Sequence, residues 1–293
     1  MEKYTGVFGL GSMGMGIAHS LRKSDHNVVG FDPATVRINE YVADGGVAGD
    51  QHNIQDGMEV AVLAVLNAEQ TRAVISQKLL DRLSPGACVI SCATVSPGFA
   101  VEMETICNSR DIHYLDAPIS GGSIKAAEGA LTVMASGSSQ AFAASQRTLD
   151  AISERVFNLG SAGNGSAMKA VNQLLAGTHI AAMAEAMTFG MKQGIRADVI
   201  VDVISQCAGS SWMFENRAPH IVAGDYTPHS AIDIWSKDLG IVLEIAEAND
   251  FDAPLVSTAL EQFKFASALG IGGEDDAAVA KVYASRSSVD LPE

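Results

Sequence analysis

The residues VFGLGSMGMG, numbers 7–16, hold Gly9, Gly11 and Gly14 in the spacing GxGxxG. The apolar run before them predicts a strand, and the residues after them predict the start of a helix. In such a unit the first glycine permits a tight turn, the second lets a pyrophosphate approach the backbone, and the third lets helix and strand pack closely. We expect a dinucleotide site here, although a bare GxGxxG also forms turns that bind no ligand.

Two neighbouring features specify the expected dinucleotide. Amides at the helix start, at Ser12 and Met13, are placed to hold its phosphates. Asp32 ends the next predicted strand, in VVGFD, where a carboxylate accepts hydrogen bonds from the adenosine ribose. The same charge repels a 2′-phosphate and so favours NAD, whereas Arg37, further along, leaves NADP as the less favoured alternative.

Short apolar runs alternate with amphipathic stretches up to about residue 158, which predicts repeated strand and helix units. We expect an α/β, Rossmann-type doubly wound sheet, mostly parallel, in residues 1–162. The predicted strands are 5–8, 27–31, 60–66, 88–93, 114–117, 131–135 and 156–159. Asn67 and Thr94 follow two of them, at the edge where open parallel sheets bind ligands, so both are candidate cofactor contacts or ordinary loop caps.

The alternation stops after Gly165, and the rest of the chain predicts an all-helical domain over residues 163–293. Its first helix, 168–193, is long and apolar on more than one face, so we expect a homodimer or homotetramer. The further predicted helices are 198–207, 211–222, 230–248, 254–268 and 275–285. The glycine-rich run at 160–165 marks the boundary, where two packed domains would leave a cleft.

Composition narrows the class of protein. The 293 residues carry a formal net charge of −15, which disfavours nucleic acid and membrane partners, and 47% of them are hydrophobic. The four cysteines lack metal-site spacing, so we expect reduced core residues and no bound metal. No targeting segment or apolar run of spanning length is present, which predicts a cytoplasmic protein. The expected partner is a small molecule.

Lys169 is the candidate proton-transfer residue, in GNGSAMKAVNQ near the start of the long helix. A lysine that is partly removed from water loses its proton more easily and can act as a base near neutral pH. Asn172 and Gln173 follow on nearby helix faces as candidate substrate contacts. The alternative for Lys169 is an ordinary solvated helix lysine.

A second candidate segment is LDAPISGG, in which Ser120, Gly121 and Gly122 follow a predicted strand. A serine with two glycines exposes adjoining N–H groups, which can hold a substrate carboxylate, or it is simply a flexible turn. Lys237, in IDIWSKDLG, is a candidate contact or a surface lysine paired with Asp238. An aromatic and amide cluster in SSWMFENR is a candidate for the substrate end of the site, or its aromatic residues belong to the core.

Four segments in this order resemble the β-hydroxyacid dehydrogenase family, which includes 3-hydroxyisobutyrate, tartronate semialdehyde and 6-phosphogluconate dehydrogenases. They are GLGSMG, DAPISGG, GNGSAMKAVNQ and WSKDL, and the resemblance covers nearly the whole chain. It implies an NAD-dependent hydroxyacid dehydrogenase in which Lys169 is the general acid/base and residues 120–122 bind the substrate carboxylate. Lys237 would reach the nicotinamide or substrate, and Thr94 would contact the cofactor. Several relatives have asparagine where this chain has Gln173, so either Asn172 or Gln173 is the substrate contact.

Longer segments resemble the L-threonate dehydrogenase branch of the family, among them NQLLAGTHIAAMAEAM and GDYTPHSAIDIWSKDLG. That branch implies oxidation of a four-carbon sugar acid at C2, giving a 2-oxo-tetronate. The alternatives are a 3-hydroxyisobutyrate or tartronate semialdehyde type of enzyme, a non-catalytic dinucleotide-binding protein, and an imine reductase. The retained Lys169 argues against the last two, and Asp32 disfavours the NADPH that imine reductases usually prefer.

Overall fold

The structure is a computed structural model that describes residues 3–50, 54, 56–75 and 77–293. The chain forms two compact units, Met1–Lys169 and Ala170–Glu293. This division falls inside a long helix, a few residues after the glycine-rich run at 160–165. The boundary between 162 and 163 stays a prediction.

The first unit is built on a sheet that has nine strands over the described residues. They are β1 (Tyr4–Phe8), β2 (Val28–Phe31), β3 (Val47–Ala48), β4 (Met58–Leu63), β5 (Leu83–Ser91), β6 (His113–Asp116), β7 (Ile119–Ser120), β8 (Leu131–Gly137) and β9 (Ser153–Asn158). The order is β3-β2-β1-β4-β5-β6-β8-β7, with β9 paired to β8. The strands from β3 to β6 pair in parallel, whereas β8 runs antiparallel to β6 and β7. The predicted, mostly parallel sheet is confirmed.

Helices cover both faces of this sheet. They are α1 (Ser12–Lys23), α2 (Thr35–Ala43), α3 (Ala68–Val74), α4 (Gln77–Leu80), α5 (Pro97–Asn108), α6 (Gly122–Glu128) and α7 (Ser139–Ile152). Along β4, Val60 and Val62 enter one core with α1, α6 and α7, whereas Ala61 and Leu63 enter a second core with α4 and α5. This alternation into two apolar cores explains why the four successive residues 60–63 of β4 are all apolar.

The predicted strands all occur, but their ends differ and two short strands were missed. β5 begins at Leu83 rather than Cys88, because its pairing with β4 shifts register between Met58 and Val60 and so accommodates the turn-like residues that precede Cys88. β3 and β7 contain two residues each. Segments that short show no periodicity.

The second unit is helical, as predicted. The helix α8 (Asn164–Lys192) begins in the first unit and runs into the second. The other helices of the second unit are α9 (Ala197–Ile204), α10 (Trp212–Ala223), α11 (Ile232–Ala248), α12 (Pro254–Ala268), a 3-10 helix (Asp276–Val279) and α13 (Ala280–Ser287). The core includes Met187, Phe214, Leu239 and Phe263. Phe214 of the aromatic cluster is therefore a core residue, whereas Trp212 is 67% exposed.

The buried acids Asp275 and Asp276 connect α10, α11 and the segment between these two helices through hydrogen bonds. Asp276 accepts hydrogen bonds from Arg217 Nε at 2.5 Å and from Trp235 Nε1 at 2.8 Å. Asp275 accepts from His220 Nδ1 and from the amide of His229, each at 2.9 Å. Burial alone would raise the pKa of Asp275, but these hydrogen bonds, together with that from Ala277 N and the charge of Arg217, outweigh it and hold the pKa below its usual value.

Cys88, Cys92 and Cys107 are buried and Cys207 is exposed, so the expectation of four core cysteines was wrong at the last position. Cys207 follows the end of α9 by only three residues, beyond the last turn that packs inward. Among the described helices, none is both long and apolar enough to cross a membrane.

Candidate active site

The turn between β1 and α1 uses its three glycines in three different ways. Gly9 has a φ of +89°, and a side chain there would lie 2.7 Å from Ala64 O. A Cβ on Gly14 would lie 1.8 Å from Gly9 O, so helix and turn touch directly. Around Gly11 a Cβ would meet no described protein atom within 4 Å. The fold itself requires Gly9 and Gly14, whereas the space beside Gly11 is open to a ligand.

The start of α1 fits a dinucleotide pyrophosphate. Gly11 is its N-cap and contributes no side-chain hydrogen bond, and both Gly11 and Ser12 are exposed. The first amides of a helix have no intrahelical partner and favour negative charge, so those of Ser12 and Met13 suit phosphate oxygens. A groove of about 390 Å³ borders the turn, and its lining includes Gly11, Ser12, Arg37 and Glu40.

Asp32 ties the end of β2 to this turn. Its Oδ2 accepts from Leu10 N at 2.7 Å, and its Oδ1 accepts from Ala34 N at 2.8 Å. Each carboxylate oxygen has a second lone pair, so Asp32 retains acceptors for the predicted ribose hydroxyls. Arg37, the residue that would favour a 2′-phosphate, is paired with Glu40 at 2.8 Å.

Asn67 and Thr94 lie beyond the carboxyl ends of β4 and β5, which are neighbours in the sheet. Asn67 caps α3 by accepting from Gln70 N at 2.9 Å, which is the ordinary loop-cap role. Thr94 is partly buried in the segment between β5 and α5. Their contact with the cofactor stays a prediction.

The predicted carboxylate-binding turn follows β7. Ser120 is partly buried, whereas Gly121 and Gly122 are exposed and have φ values of +134° and +75°. Side chains rarely adopt such φ values, so the turn depends on both glycines. Binding of a substrate carboxylate by this turn stays a prediction.

Lys169 is 8% exposed and its Nζ donates to Ile119 O at 2.9 Å. Ile119 immediately precedes Ser120, so the amine is held at the edge of the turn 120–122. The alternative of a solvated surface lysine is therefore wrong. Its role in proton transfer to a ligand at this turn stays a prediction.

The other predicted site residues form a chain of contacts in the second unit. Asn172 Nδ2 donates to Gln173 Oε1 at 2.8 Å, and Gln173 Nε2 donates to Asp238 Oδ2 at 2.5 Å. Lys237 Nζ lies 2.9 Å from Asp238 Oδ1. Gln173 is 6% exposed and already engaged, which makes the half-buried Asn172 the more accessible amide.

Asp238 is a buried member of this chain of contacts, and the sequence analysis undervalued it as a surface partner of Lys237. It is 3% exposed and links Lys237 to Gln173. Helical spacing carries a signal for it, because Asp238 lies three residues after the buried Trp235 and four before the buried Val242. An acid on the apolar face of a helix requires partners.

Comparison with known proteins identifies the family. Residues 4–160 match the family described as the NAD binding domain of 6-phosphogluconate dehydrogenase, and residues 163–283 match the NAD-binding domain of NADP-dependent 3-hydroxyisobutyrate dehydrogenase. The chain is 44% identical to an L-threonate dehydrogenase of Cupriavidus necator, over 100% of this chain and 99% of that protein. It is 43% identical to an L-threonate dehydrogenase of Escherichia coli K12, over 99% of this chain and 97% of that protein.

A crystal structure of 3-hydroxyisobutyrate dehydrogenase from Salmonella typhimurium has a TM-score of 0.89 to this chain at 43% identity, covering 96% of this chain and 99% of the other. The likeness to these relatives extends over nearly the whole chain and includes both units. The predicted resemblance is confirmed: this chain belongs to the β-hydroxyacid dehydrogenase family and is an NAD-dependent oxidoreductase that acts on a hydroxyacid.

Proposed function

We propose that this enzyme oxidises the C2 hydroxyl of a four-carbon sugar acid, with L-threonate as substrate and 2-oxo-tetronate (2-dehydro-L-erythronate) as product. Two relatives at 44% and 43% identity, named as L-threonate dehydrogenases, support this substrate. A solved relative at 43% identity is named as a 3-hydroxyisobutyrate dehydrogenase, so a branched aliphatic hydroxy acid is the alternative. Tartronate semialdehyde is a further alternative from the same family.

The substrate carboxylate is held by the turn of Ser120, Gly121 and Gly122. Support comes from the exposure of both glycines and from their positive φ values, which keep side chains away from the backbone. Adjoining N–H groups and the Ser120 hydroxyl supply hydrogen-bond donors for a carboxylate. Binding of the acid end fixes the position of the neighbouring carbinol carbon.

Lys169 is the general acid/base, and its buried amine at 2.9 Å from Ile119 O is the observation that carries the proposal. Oxidation of a carbinol removes a proton from oxygen and a hydride from carbon. Bound NAD supplies the acceptor for the hydride. The neutral amine of Lys169 takes the proton, and the resulting ammonium remains hydrogen-bonded to the Ile119 carbonyl. In the reverse direction the ammonium returns the proton to oxygen.

Positive charge at Lys169 also stabilises the alkoxide that develops as the proton leaves, so the proposed mechanism requires no metal ion. Asn172 and Lys237 are proposed to contact the substrate hydroxyls and the nicotinamide region. Gln173 holds Asn172, whose Nδ2 donates to its Oε1 at 2.8 Å, and Asp238 holds Lys237, whose Nζ lies 2.9 Å from its Oδ1. Asn172 is favoured over Gln173 as the substrate amide because its side chain is less buried.

The cofactor is NAD, and NADP is the weaker alternative. Gly9, Gly11, Ser12, Met13 and Gly14 hold its pyrophosphate, and the remaining lone pairs of Asp32 accept from the ribose. Asn67 and Thr94 add contacts from the edge of the sheet. The preference for NAD is supported by the negative charge of Asp32 and by the Glu40 carboxylate that occupies Arg37.

We further propose that the enzyme is a cytoplasmic homodimer or homotetramer with domains 1–162 and 163–293. Self-association is supported by exposed apolar side chains of the second unit, namely Phe189, Ile195, Val199 and Val203. Light scattering coupled to size-exclusion chromatography measures the state directly. A monomer at micromolar concentration contradicts this part of the proposal.

The substrate assignment is tested by NAD reduction with L-threonate, D-erythronate, 3-hydroxyisobutyrate and glycerate, compared by kcat/KM. The proposal predicts that L-threonate exceeds 3-hydroxyisobutyrate by at least about 10²-fold, because a site built to pair substrate hydroxyls discriminates against a substrate that lacks them. Mass spectrometry and NMR of the product identify the oxidised carbon. A preference for the branched aliphatic acid contradicts the proposed substrate.

A further inference from the structure

Asp116, the last residue of β6, has a carboxylate that is enclosed by hydrogen-bond donors and is 1% exposed. Its Oδ2 accepts from Ser136 Oγ at 3.0 Å, from Gly163 N at 3.1 Å and from Ser166 N at 2.8 Å. Its Oδ1 accepts from Ser166 Oγ at 2.7 Å. Burial raises the pKa of Asp116 above its usual value, and these hydrogen bonds oppose that rise, so the ionised carboxylate depends on its donors.

These donors belong mainly to the start of α8. The first amides of a helix have no hydrogen-bond partner within the helix. Here two of them donate to side chains of the sheet. Ser166 N donates to Asp116, and Gly165 N donates at 2.8 Å to Ser136 Oγ, which itself donates to Asp116. A buried negative charge at this end of the helix also interacts favourably with the helix dipole.

The same turn of α8 rests directly on the strands. A Cβ on Gly165 would lie 2.4 Å from Met134 O in β8 and 2.8 Å from Asp116 O in β6. The backbone of the helix therefore touches the backbone of the sheet, and its first turn is fixed in both position and rotation about the helix axis.

Lys169 lies one turn beyond Ser166, about 4.5 Å further along the helix at about 1.5 Å per residue. Its Nζ donates to Ile119 O, in the segment that Asp116 begins. The segment 116–119 therefore holds the helix start through the Asp116 carboxylate and receives the Lys169 amine at the Ile119 carbonyl. Two contacts with one segment determine where the amine lies relative to the turn 120–122.

We propose that Asp116 is a positioning residue of the enzyme: acting through Ser136 and Ser166, its carboxylate fixes the first turn of α8 so that the Lys169 amine lies beside the turn 120–122. This inference rests on the proposed role of Lys169 in proton transfer. Asp116 itself acts through the helix and does not touch the substrate. Loss of its contacts moves the amine and leaves the carboxylate-binding turn in place.

The deciding variant is Ser166→Ala, because it removes one donor and keeps the charge of Asp116; Asp116→Asn is a second, more severe variant. The proposal predicts a fall in kcat of about tenfold or more, since a misplacement of about 1 Å can cost about 10²-fold. KM and the Kd for NADH should stay within about twofold. The control is Ser161→Ala, an exposed serine of the preceding loop, which should retain full kcat.

The exposure of the Lys169 amine can also be measured without enzyme turnover. Acylation of its amine by a lysine-selective reagent, measured by peptide mass spectrometry in the cofactor-free protein, should be several-fold faster in Ser166→Ala, because the released amine is less buried. Lys192, an exposed lysine of the same helix, serves as the internal reference. In a Lys169→Ala background, Ser166→Ala should change the residual rate by less than about twofold, because the pair acts as one unit.

Full kcat and unchanged acylation in a folded Ser166→Ala protein overturn the positioning role, whatever the phenotype of Lys169→Ala. An equal loss of rate with and without Lys169 also overturns it, because the effect would then not pass through the amine. Full turnover by Lys169→Ala, together with faster acylation in Ser166→Ala, contradicts the proposed proton transfer and leaves the positioning contact intact. The two hypotheses therefore fail on different measurements.

Discussion

Alanine at Gly14 and alanine at Gly11 should have different consequences, although both glycines belong to one motif. At Gly14 the new methyl carbon would lie 1.8 Å from Gly9 O, below the 3.0 Å that Cβ contacts essentially never undercut. The turn must therefore move by more than about 1 Å relative to α1. Overpacking of this kind costs about 1–3 kcal/mol of unfolding free energy. The displaced turn should also bind NADH more weakly, because the helix-start amides that suit the phosphates no longer keep their positions.

Gly11→Ala should affect binding alone. A Cβ there meets no described atom within 4 Å, and the φ of −64° suits alanine. Replacing glycine at such a φ stabilises a protein by about 0.4–1 kcal/mol through the unfolded state. Alanine is a poorer N-cap than glycine by a similar amount, so the two effects on stability offset each other. The methyl group nevertheless occupies space that the pyrophosphate needs, so NADH affinity should fall at least tenfold.

The assay combines urea unfolding of the cofactor-free proteins with NADH titration by fluorescence. The expected pattern is a less stable Gly14→Ala and a Gly11→Ala that is about as stable as wild type, with both binding NADH weakly. Wild-type NADH affinity in Gly11→Ala would refute the assignment of this turn to the pyrophosphate. Unchanged stability in Gly14→Ala would refute the close contact between helix and turn.

Three other changes test separate parts of the structure. Because hydrogen bonds hold the pKa of Asp275 below its usual 3.8, its ionised form stabilises the fold above about pH 3.8, and this stabilisation is lost as the pH falls. Asp275→Asn should therefore be less stable than wild type by about 1.5–3 kcal/mol at pH 7, with the gap narrowing below pH 4 in urea unfolding. Glu40→Gln frees Arg37 and should raise the ratio of kcat/KM for NADP to that for NAD about two- to fivefold, the scale of an exposed ion pair; an unchanged ratio contradicts a role for this pair. Asp238→Asn removes the charge beside Lys237 and should lower kcat/KM for the acid at least about tenfold, whereas full kcat/KM contradicts the proposed role of the pair.

The fold was predictable because its strands and helices differ in the spacing of their apolar residues along the sequence. Apolar strands separated by amphipathic helices indicate a doubly wound sheet, and the absence of strand patterns after Gly165 indicates a helical second unit. Periodicity failed where pairing with a distant strand decides the structure, as in β3, β7 and the first residues of β5. These depend on neighbours in the sheet rather than on their own composition.

The start of α8 shows the same limit at the candidate site. Gly163, Asn164 and Gly165 read as a loop, so the helix was expected from Met168, yet it begins at Asn164. Asp116 and Ser136, which lie far away in the sequence, satisfy the first amides and allow the helix to start early. The helix propensity of the local residues does not indicate hydrogen-bond partners that are distant in the sequence.

Candidate site residues were easier to single out from the sequence than the residues that support them. Lys169 and the turn 120–122 lie in distinctive segments, and the structure brings the lysine to the edge of the turn. Asp116 and Asp238 are single acids without a motif of their own. Their importance follows from burial and from the side chains that they hold, which only the folded chain displays.

The central claim is that the amine of Lys169 transfers the substrate proton. It is tested most directly by the steady-state kcat of Lys169→Ala with L-threonate and NAD, beside the matched control Lys192→Ala from the exposed end of the same helix. The account predicts that Lys169→Ala loses about 10²- to 10⁴-fold in kcat while its Kd for NADH and its fold are kept, and that the control retains full activity. A Lys169→Ala enzyme that turns over within tenfold of wild type would contradict the account.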